Sequence, residues 1–214
     1  MNPTRWGCFV GYNQDVSHRN DFRQYIPLLV DVPFFQGLDD EQTQRVLSAA
    51  HLERCEQGAF FFMEGDPGEK CYLLVEGKVR LLQVTADGQQ VILNLIGSGT
   101  VFGLIAALSE TEYPVSAQAL EPAQALAWRQ SVMATLLSSA PPLAFNAMRV
   151  LVGHIRDYQA RIRELSTQRV ERRLAHTLLR LAQAAGRKVE DGVLIDLPLT
   201  RQDLAEMSGT TLFT

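Results

Sequence analysis

The chain has 214 residues, 46% of them apolar, and carries 20 basic and 24 acidic side chains for a net charge of −4. That length and apolar share support one good core and a smaller second one, and they exclude a fibrous or disordered chain. The slightly acidic total is not that of a general nucleic-acid binder. No apolar run reaches the roughly 20 residues of a membrane span, and the stretch 22–35 is broken by Arg23, Gln24, Asp31 and two prolines, so neither a signal peptide nor a membrane segment is expected and the cytoplasm is the expected location.

Cys8, Cys55 and Cys71 are odd in number and far apart, and His18, His51, His154 and His176 are equally scattered. These spacings predict reduced thiols, with no disulfide framework and no metal site made by this chain alone.

Residues 1–20 are polar and aperiodic and read as a loose arm. Two short helical patterns follow over 21–50, the second opening at Asp39 or Asp40 and running through Val46 and Leu47. From His51 to Arg129 short β-branched and aromatic runs alternate with glycine turns. The runs are Ala59-Phe60-Phe61-Phe62, Cys71-Tyr72-Leu73-Leu74-Val75, residues 78–84 and residues 90–95, with at least one more strand over 116–128. Gly65-Asp66-Pro67-Gly68, Glu76-Gly77, Ala86-Asp87-Gly88 and Gly97-Ser98-Gly99 separate them. Turns at this spacing point to an antiparallel sandwich or jelly roll. A jelly-roll metalloenzyme would need clustered histidines inside the barrel, and residues 51–130 hold only His51. With no nucleophile–base pair or paired carboxylates to place either, the chain is not expected to be an enzyme.

Residues 131–165 return to helix. From Ala144 an apolar seam runs through Met148, Leu151, Ile155, Tyr158, Ile162 and Leu165 in steps of four and three, a heptad pattern that favours pairing with a second copy of the chain over packing on its own sheet. Ser166-Thr167 marks a break, and Val170, Leu174, Leu178 and Leu181 begin a shorter amphipathic helix. Residues 161–188 hold eight basic side chains against two acidic ones, which is +6 and leaves −10 on the rest of the chain. Gly186-Arg187-Lys188 ends the helix, Glu190-Asp191-Gly192 turns the chain, and Val193-Leu194-Ile195-Asp196-Leu197 reads as a strand. Thr200 then caps a helix with Leu204 and Met207 on its buried stripe, and Gly209 suits a sharp turn before a second helix capped by Thr210 or Thr211. Helix, hairpin and helix-turn-helix in that order are a winged-helix pattern, and the basic block before it supplies phosphate attraction.

From about residue 28 to its end the chain resembles the Crp/Fnr superfamily of bacterial transcription factors. The carriers are Pro33-Phe34-Phe35-Gln36-Gly37-Leu38, Glu64-Gly65-Asp66-Pro67, residues 72–81, Asp87-Gly88-Gln89, and Leu199-Thr200-Arg201-Gln202-Asp203-Leu204-Ala205. The resemblance implies an α+β chain: an arm over 1–27, an antiparallel double-stranded β-helix (jelly roll) sensor over 28–130, a dimerisation helix over 131–166 and a winged helix-turn-helix over 167–214. It places the effector pocket at Phe102, Gly103, Leu104, Ile105, Ala106, Val115 and Ser116. Leu104 stands where cyclic-nucleotide binders have a glutamate, and no arginine lies between Val101 and Ala127, so the phosphate has no counter-charge and a cyclic nucleotide is not the expected ligand. An iron–sulfur cluster is not expected either, since Cys8 alone does not supply the N-terminal ligands.

The segments Tyr113-Pro114-Val115-Ser116-Ala117 and Thr210-Thr211-Leu212-Phe213-Thr214 are similar to the branch that answers nitric oxide or redox state, in some members through haem, with His18 and His154 as the candidate ligands here. The resemblance gives Thr200, Arg201 and Gln202 to DNA phosphates, and Thr210, Thr211, Leu212 and Thr214 to the turn and start of the reading helix. A homodimer acting on duplex DNA, with RNA polymerase as a further partner, is the expectation. Because the second helix has only its first residues here, the 214-residue chain is expected to bind specific DNA more weakly than one extended by about 20 to 30 residues. The alternative is a dimeric sensor module acting through protein contacts.

Overall fold

The computed structural model describes residues 22–85, 90–109, 111–197 and 199–210. The arm with Cys8 and His18, the Asp87-Gly88-Gln89 turn, Pro198 and the reading-helix residues Thr211, Leu212, Phe213 and Thr214 lie outside them.

A 3-10 turn over Phe22–Tyr25 leads into α1 (Ile26–Asp31), a second 3-10 turn at Pro33–Phe35 and α2 (Asp40–Ser48). Asp39 starts α2 because its carboxylate accepts from the Gln42 amide at 2.7 Å while the Gln42 side chain accepts from the Asp39 amide at 3.1 Å, a reciprocal cap. Among the described residues eight strands make two four-stranded antiparallel sheets. One has the order β1 (His51–Cys55), β8 (Ala123–Arg129), β3 (Lys70–Glu76), β6 (Val101–Phe102). The other has the order β2 (Phe60–Phe62), β7 (Ser116–Ala119), β4 (Val79–Val84), β5 (Gln90–Ile96), and a short helix, α3 (Leu104–Ser109), follows β6.

β3 and β8 are covered on both faces, and for that reason Cys71-Tyr72-Leu73-Leu74 is one unbroken buried run. Tyr72 and Leu74 enter the core between the sheets, opposite the small side chains Ala125 and Ala127 of β8. Cys71, Leu73, Leu126 and Trp128 enter a second core built with the helices, where the Trp128 indole donates to the Val46 carbonyl at 2.8 Å and ties α2 to β8.

The helix expected over 131–166 is two helices. α4 (Gln130–Ser139) buries Met133 and Leu136, the chain bends at Ala140, and Pro141 starts α5 (Pro141–Thr167). Proline at the first helical position lacks only an amide hydrogen that has no partner there, so it opens a new helix where the old one must stop.

β1 was not marked by the alternation, because its inward position holds Glu53 where an apolar residue would have signalled a strand. Glu53 is 1% exposed and accepts from Lys70 Nζ at 2.6 Å and lies 2.8 Å from His51 Nε2. Burial would raise its pKa, but the hydrogen bonds and charges of His51 and Lys70 outweigh that and hold the carboxyl below its ordinary value. A carboxyl depressed in the fold contributes stability above its unfolded pKa, near 4.3, and loses it as pH falls through the folded value. Glu53→Gln is therefore expected to cost about 2 kcal/mol of stability at neutral pH. Urea melts at several pH values check this: the gap to wild type narrows on acidification below about pH 4, and a gap independent of pH would assign the cost to packing.

After α5 come α6 (Val170–Ala185), the hairpin β9 (Gly186–Val189) and β10 (Gly192–Ile195), and α7 (Arg201–Ser208). This C-terminal unit lies on β5, where Ile92 and Leu95 form one apolar cluster with Leu181 of α6 and Met207 of α7.

Candidate nucleic-acid interface and sensor site

α7 begins with a reciprocal cap. The Asp203 amide donates to Thr200 Oγ1 at 3.1 Å, and the Asp203 carboxylate accepts from the Thr200 amide at 2.7 Å and hydroxyl at 2.8 Å. Arg201 and Gln202 of the same turn are exposed, beside amides at the positive end of the helix dipole. Thr200, Arg201 and Gln202 thus share one surface suited to an anion. At the other end Gly209 adopts φ +64°, and the Gly209 and Thr210 amides donate back to Glu206 and Ala205. Thr210 closes that turn; the remaining predicted contacts lie beyond the described residues.

The basic block divides into two sets. Arg161 of α5 donates to the Met207 carbonyl, Arg173 of α6 donates to the Gly209 carbonyl at 3.0 Å, and Arg180 pairs with Glu164 at 2.8 Å. Burial and then the neighbouring Arg180 push the Arg161 guanidinium below its ordinary pKa. These three hold the turn after α7 and the α5–α6 junction, with cations placed at carbonyl ends where the helix dipole favours them. Arg163, Arg169, Arg172, Arg187 and Lys188 remain exposed and available to phosphates.

The residues of the expected effector pocket divide between two cores and the surface. Phe102 is buried in an aromatic cluster with Phe61, Phe62, Tyr72 and Tyr113, in which the Phe62 and Tyr113 rings stack at 3.8 Å. Gly103 has φ +71°, and a Cβ there would sit 3.3 Å from both the Phe62 and Tyr72 rings. Leu104 is buried in the helix-side core, away from that cluster, and Ile105 is exposed; Val115 packs on the aromatics. Ser116 is buried and its hydroxyl accepts from the Glu64 amide. The side chain of Ala106 is outside the description. The reason is the strand-to-helix corner at Gly103, where consecutive side chains go to opposite cores.

An open cavity of about 590 Å³ is lined by Glu64, Gly65, Thr111, Glu112, Tyr113 and Pro114. The sequence marked Gly65-Asp66-Pro67-Gly68 as a turn and Glu64-Gly65-Asp66-Pro67 as part of the family resemblance; the bridge pairing Pro67 with Glu112 is what brings the two segments together. The lining offers two carboxylates and no cation, and the Tyr113 phenol, its pKa pushed up to about 12 chiefly by burial, is already engaged by the Lys70 backbone. Burial likewise pushes the Cys71 thiol up to about 12, leaving it without thiolate character.

α5 lies on the Pro33–Phe35 turn through Leu143, Asn146 and Ala147, the Asn146 amide donating to the Gln36 carbonyl at 2.7 Å. This contact rotates the first half of the helix, so that Ala144 and Leu151 of the expected seam are half-buried while Phe145 and Val152 are exposed. The open apolar stripe is Phe145, Met148, Val152, Ile155, Tyr158, Ile162 and Leu165. His154 is half-buried on the same helix, and its suggested companion His18 lies outside the described residues.

Residues 52–140 match the cyclic nucleotide-binding domain family and residues 172–214 the Crp-like helix-turn-helix domain. The "Cyclic AMP receptor protein" of Thermus thermophilus is 31% identical over 179 residues, spanning 84% of this chain and 80% of that protein. The chain belongs to the Crp/Fnr family. It is a transcription regulator of Crp/Fnr type with a DNA-binding helix-turn-helix. The "Anaerobic regulatory protein" of Bacillus subtilis is 30% identical over 83% of this chain and 72% of its own. The crystal structure of the Thermus thermophilus catabolite activator protein superposes with a TM-score of 0.59 at 29% identity, covering 85% of this chain and 82% of that one. These relatives are regulators, and no described helix of this Crp/Fnr chain is long and apolar enough to cross a membrane. The helix-turn-helix match favours DNA binding over a module acting through protein contacts alone.

Proposed function

We propose that this Crp/Fnr regulator is a cytoplasmic homodimer that binds palindromic duplex DNA in response to a signal other than a cyclic nucleotide. The open stripe on α5 carries the dimer part of the reading: it is seven apolar side chains on one face of a helix, too long and too continuous for solvent. The two-fold relation it creates presents two copies of α7, each with Thr200, Arg201 and Gln202 toward a phosphate.

The observation against a cyclic nucleotide is the fate of Leu104, in a stretch with no arginine between Val101 and Ala127. Leu104 serves the core and Val115 the aromatic cluster, and the nearby cations are occupied, Lys70 by Glu53 and Arg80 by Gln118 and Asp203. A phosphate there would be desolvated without compensation.

The test uses Arg201→Ala and a duplex of about 40 base pairs. Affinity is expected to fall uniformly across sequences, with the slope of log K against log salt reduced by about 1. Excess cyclic AMP is expected to leave binding by either protein unchanged. An unaltered salt slope would remove α7 from the phosphate contact, and a tightening with cyclic AMP would restore the nucleotide as the signal.

A further inference from the structure

The C-terminal reading head, α6 to α7, is joined to α5 by Gln168 and Arg169 alone. Gln168 (φ −108°, ψ 147°) and Arg169 (φ −69°, ψ 156°) are extended, so no helix runs through the joint and the backbone leaves the head free to swing about it. Side chains from one turn of α5 oppose that swing. Arg180 of α6 donates to both carboxylate oxygens of Glu164 at 2.8 and 3.1 Å, and Arg161 donates to the Met207 carbonyl near the end of α7. Leu165 packs on the turn at Gly209, where an added Cβ would stand 2.5 Å from Leu165 Cδ2.

Arg161, Glu164 and Leu165 share a face of α5 through spacings of three and four. Together they grip the head at two separate places, the second half of α6 and the end of α7, and two grips fix an angle where one would leave a pivot. The carbonyl that Arg161 takes is among the last of its helix, where no amide follows to pair with it and a cation is favoured. Ile162 and Leu165 of the same turn belong to the open stripe, so the clasp and the pairing surface ride on one rigid piece of helix.

We propose that Arg161, supported by the Glu164–Arg180 pair, is a positioning residue that fixes the angle of each head to the paired α5 helices and so sets the half-site spacing the dimer accepts. The inference rests on the dimeric DNA-binding reading above. α6 has 16 residues and is about 24 Å long. A swing of about 10° over that length moves its far end by about 4 Å, close to the rise of roughly 3.4 Å per base pair. Heads without the clasp therefore reach half-sites at several spacings, each at the cost of ordering the joint on binding.

The half-sites come first: wild-type protein at low salt is used to select a palindrome from duplexes with about 30 random base pairs, which is then rebuilt with the spacer changed by one and by two base pairs. Wild type is expected to lose about tenfold in affinity for each base pair added or removed, Arg161→Ala only about threefold, and Arg161→Lys, which keeps the charge on a more flexible stem, an amount between the two. Glu164→Gln, with Arg161 intact, is expected to flatten the spacer profile in the same direction. Binding to one isolated half-site is expected to stay at the wild-type level in all three variants. A folded, dimeric Arg161→Ala that keeps the wild-type spacer profile, loses affinity evenly at every spacing or binds the isolated half-site more weakly overturns the proposal. Should that variant fail to fold, Glu164→Gln decides by the same criteria. If wild type selects no palindrome, the DNA-binding reading has failed and the proposal goes with it.

Discussion

Replacing Ile155 and Ile162 together by glutamate is expected to convert the protein to a monomer and to weaken its binding to duplex DNA by about a hundredfold or more. The two side chains are 55% and 64% exposed on α5, so the substitution removes nothing from the core of the single chain and its melting temperature as a monomer is expected to change little. In a symmetric pair each substitution counts twice. Each apolar side chain transferred out of a seam forfeits about 1.5 to 3 kcal/mol, and carboxylates facing one another across the axis add repulsion, so the total exceeds what a dimer of moderate affinity can lose. The DNA effect follows from geometry, since two heads joined at fixed spacing bind the second half-site as an intramolecular event and separate heads do not. Sedimentation velocity and a gel-shift titration on the same samples check both parts. A variant that still sediments as a dimer would place the interface away from α5.

The seam also shows where the sequence was legible. Met148, Ile155, Tyr158, Ile162 and Leu165 were picked out by period and are all exposed on one face. Ala144 and Leu151 of the same seam are half-buried, and Phe145 and Val152, which the period did not single out, share the exposed face. Periodicity fixes which residues share a face, whereas which face turns outward depends on what the helix lies on, here the Pro33–Phe35 turn held by Asn146. A similar limit applies at the head. Thr200, Met207 and Gly209 announce a cap, a buried position and a left-handed turn from local chemistry alone. That Arg161 and Arg173 serve the Met207 and Gly209 carbonyls instead of phosphates depends on three helices meeting, and a count of charges along the chain does not contain it.

The sensor half divides the same way. Strand-length runs and glycine turns were readable, while the strand His51–Cys55 was hidden by its buried carboxylate. Residues 102–105 are adjacent in sequence but pass through a corner where Phe102 and Leu104 enter different cores, a division that no local pattern marks. The open cavity unites residues near 64 with residues near 112, a separation that no local motif expresses.

The second large effect is expected at Gly209. Gly209→Val forces a β-branched residue into φ +64°, which costs about 1 to 2 kcal/mol for an ordinary residue and more with branching, and it drives the valine Cβ toward Leu165 Cδ2. Leu165 is half-exposed and can yield, so strain in the backbone is the larger part, and the combined cost to the head is expected to be about 3 kcal/mol. The amides of Gly209 and Thr210 then lose their aim at Glu206 and Ala205, the end of α7 frays, and the carbonyls held by Arg161 and Arg173 move. Gly209→Asn separates the two causes, because asparagine also carries a Cβ but tolerates the left-handed region, and it is expected to cost about 1 kcal/mol. Hydrogen exchange at residues 201–208 reads the loss locally. If asparagine and valine prove equally damaging, contact with Leu165 governs the turn, and α5 positions the head by packing more than by the conformation of the glycine.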